Sequence, residues 1–492
     1  MECGLQWKEI TCWDDAPRLT LTHEETLETA IPDYCPDMGR IVETAGQLCL
    51  RTITARNGTV ELKGTVRVTV LYTSEESVGL RSLTQSVPFT CAAENRTLAA
   101  CQVLWAAGRL LLCEAQALTP RRLSLRLMPE WTVCGYACAT VRLCTGAEDD
   151  PALRLRRQER RLCLTTAVAE RECGVTGEVM VPAGQPSPED LLLCRLYPRV
   201  SACQIVGSKL LVKGEVTVSA LYRCQQQKLH TYTGTVSFSQ IVDSPTEDGE
   251  AEVTAWPQLV GGEARLLRSE EAAGFAVTAE LRLLLRATRQ ETVSCVTDLY
   301  STRCGTQVET AEAVLPLAPE APEQQEAVQH LDFGRQRPFV YVTEAFCAPA
   351  AAEDGTPCAD VLLRLLYLDE EEAPAVTERT ARLPVRAGES CACCGAPEVA
   401  FAAGGCDVRQ TVCLSPAAVP RETLTAVSAV QLLPEEESGG RRPSLVMRRM
   451  TPEETLWDVA KQYRTDEELI RTVNRLEEGE TPERMLLIPR VR

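Results

Sequence analysis

Histidine is nearly missing from this chain. Its three copies in 492 residues, His23, His230 and His330, are scattered and have no partner pattern. Imidazole is the usual general base near neutral pH, so nothing here argues for a Ser-His-Asp or Cys-His centre. An excess of positive charge is also missing. With 51 Lys and Arg against 69 Asp and Glu, the net charge is -18. Phosphate backbones need cations, so nucleic acid is excluded as a partner of the bulk surface. No apolar run approaches the roughly 18 residues that suggest a membrane span. The N-terminal stretch MECGLQWKEITCWDD carries charges where a secretion signal would be apolar, which points to an intracellular protein. Gly207-Ser208-Lys209 lacks the spaced glycine of a phosphate-binding loop, and no GxGxxG follows a strand.

What is present is repetition. Residues 60–72 (VELKGTVRVTVLY) alternate apolar Val60, Leu62, Val66, Val68, Val70 and Tyr72 with Glu61, Lys63, Thr65, Arg67 and Thr69. A period of two with β-branched enrichment predicts a half-buried strand. Residues 210–222 (LLVKGEVTVSALY) repeat the pattern, with Lys63-Gly64 and Leu71-Tyr72 recurring 150 residues on as Lys213-Gly214 and Leu221-Tyr222. Gly64 interrupts the apolar face, which predicts a bulge or bend. Val87 and Phe89 match Val236 and Phe238 as a following strand. A third, weaker copy runs through Val361, Leu363, Leu365 and Tyr367, then the acidic loop 369–372, then Leu383 and Val385. Looser matches form a back half: Leu123, Leu125 and Leu127 leading to 130–133; 275–285 leading to 291–296; and 408–414 leading to 422–427. Duplication at domain-sized spacing predicts an array of modules.

The boundaries expected from composition are the charged segment 146–160, the Pro/Ala/Glu-rich segment 316–328 and the segment 434–443. They divide the chain into three antiparallel β-rich repeats at 1–145, 161–310 and 329–433, and a module at 444–492. The fold class expected is therefore multidomain and mainly β, with a small C-terminal βααβ unit. In that unit Thr455 can cap a helix over 456–463, and Thr465 or Asp466 a second over 467–474, between apolar stretches at 445–447 and 485–489.

The C-terminal residues Thr455-Leu456-Trp457, Ala460, Tyr463, Leu469, Asn474 and Leu486-Leu487-Ile488-Pro489 resemble a LysM domain. The resemblance implies a groove for N-acetylglucosamine-containing glycans such as peptidoglycan, between the first strand–helix loop and the second helix–strand loop. The candidate groove or partner-binding residues are Glu453, Glu454, Thr455, Leu456, Trp457, Asn474, Pro482 and Glu483. The chain departs from the family pattern in both loops, with Glu453-Glu454 in place of Gly-Asp and Pro482-Glu483 in place of Pro-Gly. Glycine permits close backbone approach to a ligand and Glu does not, which disfavours glycan binding. Trp457 reads as part of a small core.

Residues 31–41 (IPDYCPDMGRI) are similar to the Pro-Asp-x-x-Pro-Asp-Ile signature of a domain of spore-forming Firmicutes. Pro186-Ser187-Pro188-Glu189-Asp190 looks like its counterpart in the second copy, and Asp298-Leu299-Tyr300-Ser301 resembles the Asp-x-Tyr-Ser that closes a unit. Repeats of this domain followed by one LysM resemble the architecture of the SipL-like spore coat morphogenetic proteins. That resemblance implies a non-enzymatic scaffold without cofactor in the mother-cell cytosol. It would bind a SpoIVA-like morphogenetic ATPase, with other coat proteins as further partners, and help anchor the coat to the forespore surface. The rival reading is a peptidoglycan-binding cell-wall accessory protein acting through the LysM-like module.

Asp33 and Asp37 could suggest paired catalytic carboxylates. The structural reading is preferred: the prolines and aspartates fix a turn and cap a helix-like stretch at 39–46. Most of the 24 cysteines read as small buried hydrophobes of a reducing compartment. The segment holding Cys134, Cys138 and Cys144 reads as strands. Cys391, Cys393, Cys394 and Cys406, with Cys413 beyond, form the better candidate group whose thiolates could hold zinc. Their spacing is not a repeated C-x-x-C pair, so no metal site is assigned. Asn57-Gly58-Thr59 and Asn95-Arg96-Thr97 match a glycosylation pattern that has no meaning in a non-secreted chain, and Asn57-Gly58 reads as a hairpin turn.

Overall fold

The alternation at 60–72 becomes a strand of a two-layered unit in the computed structural model, which describes residues 4–75, 79–268, 273–332, 339–352, 354–402, 404–416, 418–433, 444–451, 453–477 and 485–489. The first unit comprises β1 (Leu5–Asp15), β2 (Leu19–Thr22), β3 (Glu25–Ala30), β4 (Arg40–Arg56), β5 (Thr59–Thr73), β6 (Leu80–Glu94), the short helix α1 (Arg96–Ala99), β7 (Val103–Thr119) and β8 (Arg122–Ala147). β4, β5 and β6 form an antiparallel meander, and β8 pairs with β7 and with β1, β2 and β3. Asn57 and Gly58, both with positive φ, close the β4–β5 hairpin. The apolar face of β5 packs across the layers on Leu123, Leu125, Leu127 and Val133, and Phe89 stacks on Trp131 at 5.4 Å.

The same pairing scheme recurs twice. β9 (Leu153–Met180), β10 (Pro188–Val206), β11 (Lys209–Cys224), β12 (Leu229–Asp243), β13 (Glu252–Arg268) and β14 (Ala273–Ser301) form the meander β10–β11–β12 and the sheet β13–β14–β9. The third set is β15 (Gly305–Pro316), β16 (Glu323–Asp332), β17 (Val340–Ala351), β18 (Pro357–Leu368), β19 (Pro374–Pro384), β20 (Glu389–Cys393), β21 (Glu398–Ala402), β22 (Gly405–Pro416) and β23 (Arg421–Leu433). Its meander is β17–β18–β19; β22 pairs with β16, β20 and β21, and β23 pairs with β15.

Register details coincide between the sets. The bulge near Gly64 lies on the partner strand: Leu50 faces Gly64 and Thr52 faces Lys63, leaving Arg51 over. Ser201 is the extra residue at the matching place in β10, opposite Gly214. A Cβ at Gly64 would collide with the Cys49 carbonyl and the Phe89 ring, and one at Gly214 with the Arg199 carbonyl and the Phe238 ring. Each glycine thus lets a cross-strand Phe lie flat over the backbone. In the third set Ala359 pairs with Leu383, and the only shift between β17 and β18 is at Thr343. That copy has lost the glycine, the phenylalanine and the second bulge together.

Pairing groups the chain as 5–147, 153–301 and 305–433, which differs from the composition-based limits. The segment 146–160 is mostly strand, because Leu153 and Leu155 alternate with Arg154 and Arg156 along β9, and a one-sided strand of this kind has the charge density of a linker. Glu323 already belongs to β16, so the connection there is only 317–322. Residues 434–443 lie outside the described residues. The stretch 39–46 is not helix-like, since from Arg40 it is β4. Its period-two signal is hidden because Ala45 and its neighbours are buried on both faces.

The second face of each meander explains why Leu accompanies Tyr in Leu71-Tyr72, Leu221-Tyr222 and Leu366-Tyr367. Tyr72 and Tyr222 enter their own unit's core. Leu71, Leu221 and Leu366 meet in one core with Leu80, Leu192, Leu193 and Tyr341. Two further cores also draw on all three units: Ile10 and Leu143, Leu162 and Val293, Leu315 and Leu424 in one; Ala147, Leu299 and Val430 in the other. The units therefore close on one another in a pseudo-threefold ring. Polar groups line the same junction. Arg195 donates to the carbonyls of Gly46 and Thr343, both at 2.6 Å, and so ties all three units. Glu43, 2 % exposed, lies 3.3 Å from Arg364.

Two predictions test this closure. Leu221→Ala removes a fully buried side chain from the shared core and should cost roughly 2–5 kcal/mol. Hydrogen exchange should then accelerate in β5 and β18 as well as in β11, whereas acceleration confined to the second unit would mean the units are not coupled. Burial pushes the Glu43 carboxyl up to about 7, despite Arg364 and the Thr44 N–H. The folded state therefore holds a proton that the unfolded state has released, and stability falls as pH rises from about 4.5 through about 7. Glu43→Gln should flatten that part of a urea-midpoint-against-pH curve by about 3 kcal/mol.

Candidate functional site

The C-terminal module consists of β24 (Leu445–Arg449), α2 (Leu456–Tyr463), α3 (Glu467–Asn474) and β25 (Met485–Pro489), with β24 and β25 antiparallel. Thr455 caps α2 in a capping box with Asp458, and Asp466 caps α3. Both helices end on a left-handed arginine, Arg464 and Arg475.

The module is seated on the second unit by the residues that end β14. One extra residue, Thr297, bulges from β14. It sends Leu299 into the core shared by the three units, while Asp298 and Tyr300 contact the module. The Asp298 carboxylate accepts the Trp457 indole N–H at 2.7 Å and the Lys461 ammonium at 2.6 and 2.8 Å. Tyr300 joins the module's own core with Leu456, Val459, Ile470 and Leu486. Its ring meets Trp457 edge-on at 4.8 Å, and its hydroxyl donates to the Thr465 carbonyl at 2.8 Å. Burial pushes the Tyr300 phenol well above its usual range, with Asp466 adding to the effect. Arg154, paired with Tyr300 in the sheet, donates to Asp466 at 2.7 Å.

Matching bulges occur at Thr145 and Ser428 in the other units. The residues in the places of Asp298 and Tyr300 are Gly146 and Glu148 in the first unit, and Ala429 and Gln431 in the third. Among the described residues only the second unit carries this seat. Sequence reading singled out Asp298-Leu299-Tyr300-Ser301 as a closing motif but not as a contact, and it missed Arg154. The available signal was an Asp-x-Tyr that the other two copies lack.

The candidate residues divide by position. Trp457 is 8 % exposed and engaged on the seat, so it offers no open ring to a sugar. Leu456 is buried beside it. Thr455 is used in the cap. Glu454 accepts the Thr451 N–H at 3.0 Å and pairs with Arg448 at 2.5 Å, and these contacts hold its carboxyl below the usual range. Glu453 is exposed beside it. Asn474 ties α3 to β25: its amide donates to the Leu487 carbonyl at 2.6 Å and its carbonyl accepts the Leu487 N–H at 2.7 Å. Pro482 and Glu483 lie outside the described residues. The outer face of β24 and β25 leaves large apolar side chains in water, Leu445, Met447 and Met485. Met447 lies opposite Leu487, and Met485 opposite Arg449.

The cysteine group separates. Cys394 is bonded to Cys413, Cys391 and Cys393 lie along β20, and Cys406 is buried opposite Leu331 and Phe401. Among the described residues no three His, Cys, Asp or Glu side chains converge as metal ligands. Asp33 and Asp37 both pair with Arg121, at 3.3 and 3.1 Å. Arg121 also donates to the carbonyls of Ile31, Pro32 and Cys35. The carboxylates thus fix a loop. Tyr72 donates to the Pro36 carbonyl at 3.3 Å and Tyr222 to the Pro186 carbonyl at 2.9 Å, which puts Pro36 and Pro186 at equivalent places in the two units.

Residues 188–260, from β10 into β13, match the family described as the SPOCS domain of SipL. No curated protein and no solved structure matches the chain. The match supports a SipL-like, sporulation-related protein. No helix among the described residues is long and apolar enough to cross a membrane.

Asp298→Ala removes the acceptor of both Trp457 and Lys461. Hydrogen exchange over α2 and α3 should rise at least about tenfold, while β5, β11 and β18 stay protected. Unchanged exchange in α2 would mean that Tyr300 and Arg154 suffice as the seat.

Proposed function

We propose that the chain is a non-enzymatic sporulation scaffold whose LysM-like module, 444–492, binds a SpoIVA-type coat ATPase and helps anchor the spore coat at the forespore surface. The mother-cell cytosol is the compartment this reading requires. The SPOCS match supports the sporulation setting. The observation that carries the choice of a protein over a glycan is the division of the module's apolar residues. Trp457 is consumed by the seat on Asp298 and Tyr300, while Leu445, Met447 and Met485 stand free on a two-stranded sheet. A contiguous exposed apolar face of this kind marks a protein contact.

The test uses the full chain against a tagged SpoIVA-type ATPase. Deleting 444–492 should abolish co-purification, and Met447→Glu, at an already exposed position, should weaken it at least about tenfold. Retained binding after the deletion would sink the reading. Co-sedimentation with insoluble peptidoglycan, lost on changing Glu453 and Glu454, would establish the glycan-binding alternative instead.

A further inference from the structure

Between the first and second units lies a cleft of about 500 Å³ that the module does not touch. Its floor is the outer face of the first meander, where Arg67 and Thr69 of β5 alternate with core residues. Its walls are residues 190–196 of β10 and 262–266 of β13, and Tyr34 stands at its mouth. Four arginines line it, Arg67, Arg81, Arg195 and Arg265, against two acidic residues, Asp190 and Glu263. This is a positive recess in a chain of net charge -18.

The charges are not equally neutralised. Arg265 pairs with Glu263 at 2.7 Å. Asp190 is shared between Arg223 and Arg81, the latter at 3.8 Å. Arg195 faces the buried Glu43 and the half-buried Glu344. Arg67 donates to the Gly262 carbonyl at 2.7 Å, and no carboxylate among the described residues pairs with it. Its charge is held at the cleft by a backbone oxygen that leaves the rest of the fork open to an anion.

The shape selects among anions. β6, β10 and β13 are all edge strands of their sheets, and each runs along the cleft for several residues. Tyr34 is 87 % exposed on a loop that Arg121 holds in place. A rigid exposed aromatic beside arginines is the composition of a protein-binding hot spot. An extended chain along strand edges fits a trench better than a compact ion does.

We propose that this cleft is a docking site for an extended acidic peptide segment of a partner protein, with a carboxylate meeting Arg67 and the chain passing under Tyr34. The site is separate from the module and stands independently of the partner proposed for it.

The probe is fluorescein-labelled hexaglutamate, titrated with the full-length chain at low ionic strength and followed by anisotropy, with hexalysine as control. Saturable binding of hexaglutamate alone is expected, weakening as salt is raised. Arg67→Gln should lower affinity at least about tenfold and Tyr34→Ala several-fold. Tyr34 is so exposed that its replacement leaves the fold intact, which an unchanged melting temperature verifies. Equal affinity in both variants would overturn the proposal. So would displacement of the peptide by an equal concentration of inorganic phosphate, which would mark a small-anion site only.

Discussion

Everything else in this molecule depends on a leucine that follows the rule of alternation and still ends up buried. In β5 and β11 the residue before the final tyrosine belongs to the outward face, where a sandwich of this size would meet water. Instead Leu71 and Leu221 point at each other and at Leu366. A sheet buried on both faces cannot belong to an independent bead, because each outer leucine is stable only while the other two units are in place. This converts a tandem array into a closed ring, and it fixes where polar groups are tolerated. Arg195 can lie at the junction because carbonyls of the first and third units accept its hydrogen bonds. Glu43 stays there with a raised pKa because ring closure removes its water.

Closure also explains what was and was not legible in the sequence. The strands at 60–72 and 210–222 declare themselves because one face is wholly apolar and the other polar for most of their length. The third copy is readable at 361–367 although Ala359 has replaced the glycine. The C-terminal helices are readable because caps and apolar spacing agree locally. Junctions between units are not readable in this way. The Leu-Tyr dipeptide looks like the plain end of a strand until its neighbours, about 150 residues away, are known. Residues 153–160 pass for a linker because one face of β9 carries arginine. The limits of the units are set by pairing between the first and last strands of each unit, a relation of very high sequence separation that local patterns do not carry.

The site was legible in its parts and not in its arrangement. Asp298-Leu299-Tyr300 was visible as a motif, and Trp457 as a core residue of the terminal module. The hydrogen bond that joins them spans 159 residues. The arginines of the cleft were still less visible. Arg67 is an ordinary polar position on a strand, and it becomes part of a recess only because β10 and β13 of the next unit stand over it.

A ring of three similar units offers three similar places to build on, and here they have diverged. The bulge at Thr145, Thr297 and Ser428 is common to all. It turns one residue into the shared core and aims its two neighbours outward. In the first unit those neighbours are Gly146 and Glu148 and in the third Ala429 and Gln431, so neither unit has a carboxylate at the first position or an aromatic ring at the second. In the second they are a carboxylate and a phenol, which satisfy an indole, an ammonium and a buried carbonyl at once. Buried polar groups that are fully paired fix orientation as well as position. The module is therefore held through α2 and the start of α3, and the outer face of β24 and β25 stays exposed. The breaking of threefold symmetry at Asp298 and Tyr300 gives a ring of three similar units a single place that carries the module.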